Sequence, residues 1–173
     1  MATLILTVIG DDRPGIVSEL SAPIEAHGAS WERSQMARLA GKFAGILMVA
    51  VPDDQAEALV ADLIALKDMG LLVALEQTDT PTEQVSVRLN LELLGADHPG
   101  IVAEISRALA AQGIGIEELS TDVREAPMAG GMLFEASAVL EAPPETSMQE
   151  LRTMLEAVAD ELMVEIRLSD GVA

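Results

Sequence analysis

A chain of 173 residues and 18.2 kDa has room for one ordinary domain or two small ones, and its 50% hydrophobic content can fill a core. Ten Lys and Arg against 29 Asp and Glu leave a net charge of −19 and a pI near 4.2, a field that repels phosphate backbones and anionic membranes, so neither direct nucleic-acid binding nor membrane docking is expected. The absence of cysteine removes disulfides, thiol catalysis and Cys-ligated zinc, and 2% aromatic residues are too few for base stacking.

Met1 to Gly10 is apolar, but it lacks a basic leader region and Asp11 and Asp12 interrupt it. No run reaches the length of a membrane span, so a soluble, cytoplasmic protein is expected. Leu4, Leu6 and Val8 alternate with Thr3, Ile5 and Thr7, the period of a strand with one buried face. Pro14 suits the first turn of a following helix, where a missing N–H costs nothing. Gly28 stops that helix, and Pro23 inside it should bend it or be tolerated at a cost. Ala40-Gly41 marks a hairpin. Leu59, Val60, Leu63 and Ile64 form a helical stripe, and Leu71-Leu72-Val73 begin a closing strand. Gln77 to Thr82 is polar, contains Pro81 and reads as a linker.

The same order then returns. Val85, Val87, Leu89 and Leu91 alternate with Ser86, Arg88 and Asn90; Pro99 opens a helix and Gly113 closes it; Gly130-Gly131 marks a hairpin. Leu151, Met154, Leu155 and Val158 form a stripe behind a capping box of Ser147 and Glu150, and Leu162-Met163-Val164 begin the last strand. Between Gly10 and Glu32, 11 of 23 residues are identical to those 85 positions later. From Phe43 and Phe134 onward the offset is 91, so the second copy carries six extra residues, which fall at the hairpin Arg124–Gly131. Two units follow, residues 1–80 and 84–173, each strand-helix-strand-strand-helix-strand. That order predicts an α+β, ferredoxin-like βαββαβ fold, a four-stranded antiparallel sheet with two helices on one face. The other face must be polar or covered by a partner; the two units of one chain can supply each other's partner, and a face left bare favours a homodimer.

The most repeated segment is the turn between the first strand and helix: Asp11, Asp12, Arg13, Pro14, Gly15, Ile16 and Val17 in one unit, Asp97, His98, Pro99, Gly100, Ile101 and Val102 in the other. The first N–H groups of a helix lack internal acceptors and attract an anion such as a carboxylate. Gly15 and Gly100 let a ligand approach the backbone, and an adjacent Asp suits an ammonium group. Together these match a free amino acid. The same residues also suit a local role, with Asp as N-cap and Gly packing helix against sheet. On the residues alone both readings stand.

The run Gly10-Asp11-Asp12-Arg13-Pro14-Gly15-Ile16-Val17, followed by Gly28-Ala29-Ser30-Trp31-Glu32, resembles the ACT domain, a regulatory module that commonly binds amino acids. Ala96 to Val102 with Gly113-Ile114-Gly115-Ile116 resembles it again. Two such units over about 165 residues, with Ser34-Gln35-Met36-Ala37 and the long hairpin ending Gly131-Met132-Leu133-Phe134, are similar to the glycine cleavage system transcriptional repressor family. The resemblance implies a repressor that acts through a transcriptional activator protein rather than on DNA, with glycine or a similar small amino acid influencing the complex. It also implies that Ser30 lies beside the ligand, where the family often has Asn. Gly115 offers no side chain at the equivalent place, which implies a weaker or empty second site.

Other chemistry is thin. His27 ends a helix and suits its dipole, and His98 replaces Arg13 in an exposed loop. Trp31 reads as core or interface, and Met128 and Met132, around the long hairpin, as the methionines placed to face a partner. No nucleophile arrangement, phosphate loop or set of metal ligands is visible, so no enzyme, cofactor or metal is expected. Two alternatives remain: an amino-acid-binding regulatory subunit of a metabolic enzyme, and a purely structural ACT dimer.

Overall fold

The computed structural model describes residues 1–78, 85–128 and 130–171. The expected linker beyond Thr78, with the boundary near Thr80, lies outside these residues. The chain divides into two compact units, Met1–Thr82 and Glu83–Ala173.

The first unit runs β1 (Ala2–Asp11), α1 (Ile16–Ala26), β2 (Ser30–Leu39), β3 (Lys42–Val51), α2 (Ala56–Ala65), a 3₁₀ turn (Leu66–Met69) and β4 (Leu71–Thr78). The second runs β5 (Val87–Ala96), α3 (Ile101–Ala111), β6 (Gly115–Glu125), β7 (Met132–Ala142), α4 (Met148–Leu162) and β8 (Val164–Asp170). Each sheet is antiparallel, in the orders β2-β3-β1-β4 and β6-β7-β5-β8. This is the βαββαβ plan expected from the repeat.

The period-two pattern of β1 is realised: Leu4, Leu6 and Val8 are buried beneath Ile16, Leu20 and Ile24 of α1 and Leu59 and Leu63 of α2. In the second unit Leu89, Leu91 and Leu93 meet Ile101, Ile105 and Leu109 of α3, at positions equivalent to those of α1, and Leu151, Leu155 and Ala159 of α4. Burial of these side chains is the main stabilising term, each worth about 1.5–3 kcal/mol relative to exposure. Ser147 caps α4 by accepting from the Glu150 N–H at 3.3 Å.

Pro23 is accommodated late in α1, which is as long as its proline-free counterpart α3, 11 residues each. A bulge in β2 between Trp31 and Arg33 recurs between Ile116 and Glu118. It turns Trp31 toward the core and Arg33 to the opposite face. The two hairpins differ as expected: Ala40-Gly41 is a two-residue turn with both φ positive, whereas the second has four more loop residues and one more in each flanking strand.

Three local expectations are corrected. Val85 precedes β5 and is 82% exposed. Leu162 ends α4 and Met163 takes a left-handed conformation, φ 56°, so β8 starts only at Val164. Pro14 and Pro99 sit in the turn ahead of the helices rather than in their first turn, because Gly15 and Gly100 intervene.

Candidate functional site

Each loop is made by a glycine. Gly15 has φ 94° and Gly100 φ 100°, the left-handed region, and each is the N-cap of its helix without any side-chain cap. Asp is therefore not the N-cap. A Cβ on Gly100 would meet no atom within 4 Å, and one on Gly15 only Glu19 Oε1 at 4.0 Å, so these glycines are required by backbone conformation and not by close packing. The close-packing glycines come earlier in the same motif. A Cβ on Gly10 would lie 2.9 Å from Gly70 O, and on Gly95 2.6 Å from Val164 Cγ1, where the closing strand begins. Sequence reasoning missed their role, although both recur in register.

The site residues divide sharply. Ile16 and Ile101 are core side chains, only 3% and 2% exposed, so their contribution to the turn is limited to backbone N–H groups. Val17 and Val102 are 48% and 43% exposed beside them. Pro14 and Pro99 are exposed in the turn. Asp11 at the end of β1 is paired with Lys42 at the start of the neighbouring β3, and this ammonium holds its carboxyl below the ordinary value. Asp12 lies 3.4 Å from Arg38, and its N–H donates to Gly41 O at 2.9 Å. Asp97 donates its N–H to Met132 O at 2.9 Å and has no ion pair among the described residues.

Arg13 and His98 share a job. The Arg13 guanidinium forms two bonds to Glu19, at 2.5 and 2.6 Å, and donates to Met69 O at 2.9 Å. His98 reaches Leu162 O at 2.8 Å, the carbonyl in the same place ahead of the closing strand, and Pro99 O at 3.0 Å; the pairs Gly10–Leu71 and Gly95–Val164 put the offset there at 93 rather than the 91 expected. Each side chain ties its loop to the chain two residues ahead of the closing strand. Both His98 partners are carbonyls, which only accept, so the two bonds together require the doubly protonated ring. Those bonds raise the His98 pKa above the ordinary imidazole value. His98 is thus a tether and not a free loop histidine. Glu104, released by the loss of Arg13, pairs with Arg107 at 2.8 Å. Glu19 was absent from the sequence-derived site, yet a signal existed: Arg13 and Ala22 of the first copy become His98 and Arg107 in the second.

Ser30 is not brought to the loop. It pairs with Ala50, which pairs with Thr3, whereas the loop follows Asp11 at the other end of β1. Eight residues of strand separate those rows, roughly 27 Å. Trp31, one row nearer, donates to Ser34 Oγ at 3.2 Å and packs on the core, too distant to sense the loop directly. His27 bridges α1 to α2 through Gln55 Oε1 at 3.2 Å and Asp62 Oδ2 at 2.8 Å, which raises its pKa; it does more than end a helix. Met128 and Met132 are 98% and 46% exposed. Among the described residues no group of three His, Cys, Asp or Glu gathers as for a metal, and no helix is long and apolar enough to cross a membrane.

A tandem βαββαβ chain with a glycine-opened loop at the head of each unit defines the class, and the chain belongs to the ACT domain family, whose model matches residues 2–76 and 88–169. It is similar to the glycine cleavage system transcriptional repressor of Escherichia coli (strain K12), 23% identical over 164 residues, covering 92% of this chain and 85% of that protein. The same figures hold for the repressor of Shigella flexneri. A crystal structure of an unknown protein from Galdieria sulphuraria matches with a TM-score of 0.87 and 30% identity, over 99% of both chains. Another, provisionally assigned as a glycine cleavage system transcriptional repressor, matches at 0.77 and 18% over 99% of this chain and 98% of that one, a likeness of fold.

Proposed function

We propose that this is a non-enzymatic regulatory protein of two units, residues 1–80 and 84–173, which senses a small amino acid and represses transcription through a protein partner, as a cytoplasmic homodimer. The observation that carries the reading is the pair of helix N-termini, each opened by an exposed left-handed glycine and uncapped by any side chain. A ligand carboxylate would accept from the first N–H groups of α1, those of Ile16 and Val17. Its ammonium would displace the exposed Arg38 from Asp12, a 3.4 Å pair that is easily given up. Arg13 matters to this electrostatically: it neutralises Glu19, whose carboxylate would otherwise repel an anion at Gly15. In the second loop Asp97 and the N–H groups of Ile101 and Val102 offer the same pair of charges, with His98 adding a cation. The similarity to the E. coli repressor supports the transcriptional role, and the −19 charge agrees with action through a partner such as an activator protein.

Glycine has about five heavy atoms, and at ~1.5 kcal/mol per atom its affinity is capped near 7–8 kcal/mol, micromolar at best. Such weak binding suits a sensor of an abundant metabolite. Calorimetry of the purified chain against each of the twenty amino acids tests the reading: one should give heat, and Asp12→Ala should weaken it while leaving the circular dichroism unchanged. Absence of heat and of any rise in melting temperature at millimolar ligand refutes sensing. A pull-down from the source cell should retain a transcriptional activator; retention of a metabolic enzyme instead refutes the transcriptional part.

A further inference from the structure

The two sheets present different faces away from their helices. In the second unit that face carries Glu92, Asp122, Glu135 and Glu165 with Arg124 and Arg167, and it is at home in water. The first unit's face is mostly apolar, and Ile9, Ile46 and Leu72 on it are 45%, 56% and 60% exposed. The strand registers arrange it in cross-strand rows, from β2 through β3 and β1 to β4: Arg33, Met48, Ile5, Glu76; then Gln35, Ile46, Thr7, Ala74; then Ala37, Ala44, Ile9, Leu72.

We infer that this face is the homodimer surface, packed against the same face of a second copy about a two-fold axis parallel to the strands and midway between β3 and β1. Such an axis lays each row over its own reverse. Arg33 then meets the other copy's Glu76 at both edges, and neither has an ion-pair partner among the described residues of its own chain. Ala37 meets Leu72, Ala44 meets Ile9 and Thr7 meets Ile46, a small side chain against a large one in these three pairs, while the adaptable Met48 meets Ile5. The remaining charges, Asp11 and Lys42 at the end of the face, neutralise each other within the chain. A protein of charge −19 thus keeps one balanced, self-complementary surface. Four strands about 4.8 Å apart and some ten residues long give a face of roughly 600 Å², or about 1,200 Å² for the pair, within the range of a stable interface. Two sheets packed this way keep their strands nearly aligned.

This inference deepens the homodimer of the reading above and is separable from amino-acid binding. Sedimentation velocity of the full chain in about 0.3 M salt should give twice the 18.2 kDa mass. Ile46→Lys should give a monomer with unchanged circular dichroism, while Leu94→Lys on the second unit's face should remain dimeric. Arg33→Glu and Glu76→Arg should each weaken dimerisation at least tenfold, and the double variant should regain it. A wild-type monomer at about 100 μM refutes both surface and homodimer. A dimer indifferent to Ile46→Lys keeps the homodimer and refutes the surface. Failure of the double variant to regain dimerisation refutes the axis. Calorimetry on the same variants reads ligand binding independently of all three.

Discussion

Replacing Gly15 by alanine isolates the conformational demand of the loop. At φ 94° a residue with a Cβ is strained, and the nearest atom that Cβ would meet is 4.0 Å away, so no steric term is added. The expected loss is therefore the left-handed cost alone, about 1–2 kcal/mol. For a unit that unfolds by itself this corresponds to a fall in melting temperature of roughly 4–16 °C. Gly15→Asn should lose less, because Asn tolerates this conformation, and Gly15→Val should lose at least as much as alanine, since it is β-branched. The urea midpoint at constant m-value is the assay. Gly10→Ala is the contrast: there the Cβ would sit 2.9 Å from a backbone carbonyl, and the loss should be larger and indifferent to whether Asn or Ala is introduced. If Gly15→Ala is as stable as wild type, or if Asn is no better than Ala, the backbone explanation fails. Valine at 15 should also obstruct ligand approach, so wild-type affinity in that variant would show that the loop is not the site.

His98 should make the second unit pH-sensitive. Its folded pKa is raised, so its tether contributes fully below the unfolded value of 6.5 and is lost as pH climbs through the folded pKa. The melting-temperature gap between wild type and His98→Asn should therefore shrink from pH 6 to pH 8, and a constant gap contradicts the tether. Arg13→Ala should return the Glu19 carboxyl, now held low by the guanidinium, toward an ordinary value, which carbon-detected NMR titration reads directly. At a net charge of −19 the chain alone should give no salt-sensitive shift of duplex DNA, and a shift at moderate salt contradicts action through a partner.

The repeat made the architecture legible. Pro-Gly-Ile-Val and the closing glycine recur 85 residues apart, and period-two and period-3.6 patterns are local properties of a chain that must bury one face. Leu4, Leu6 and Val8 accordingly lie where their alternation puts them. The ends of elements were less legible. Leu162-Met163 look like the start of a strand, yet the helix consumes one and a left-handed turn the other. The site was legible as a loop but not as a geometry. The i, i+4, i+8 stripe of Ile16, Leu20 and Ile24 marks Ile16 as core-facing, but nothing local tells that Ser30 lies a strand's length from Gly15, because that depends on which way α1 returns along the sheet.

By itself the sequence determined two βαββαβ units and their buried faces, consequences of periodicity; that Gly15 and Gly100 rather than an Asp or Pro open the helices was settled by the backbone conformation. Only the tertiary structure decided what the loop side chains are for. Arg13 and His98 differ in size and charge, yet both end on the carbonyl two residues before the closing strand, a meeting across 56 and 64 residues of chain that no spacing encodes. The same holds for the open sheet face, where residues from four strands become neighbours only once the register is set, and where one unit proves apolar and the other charged.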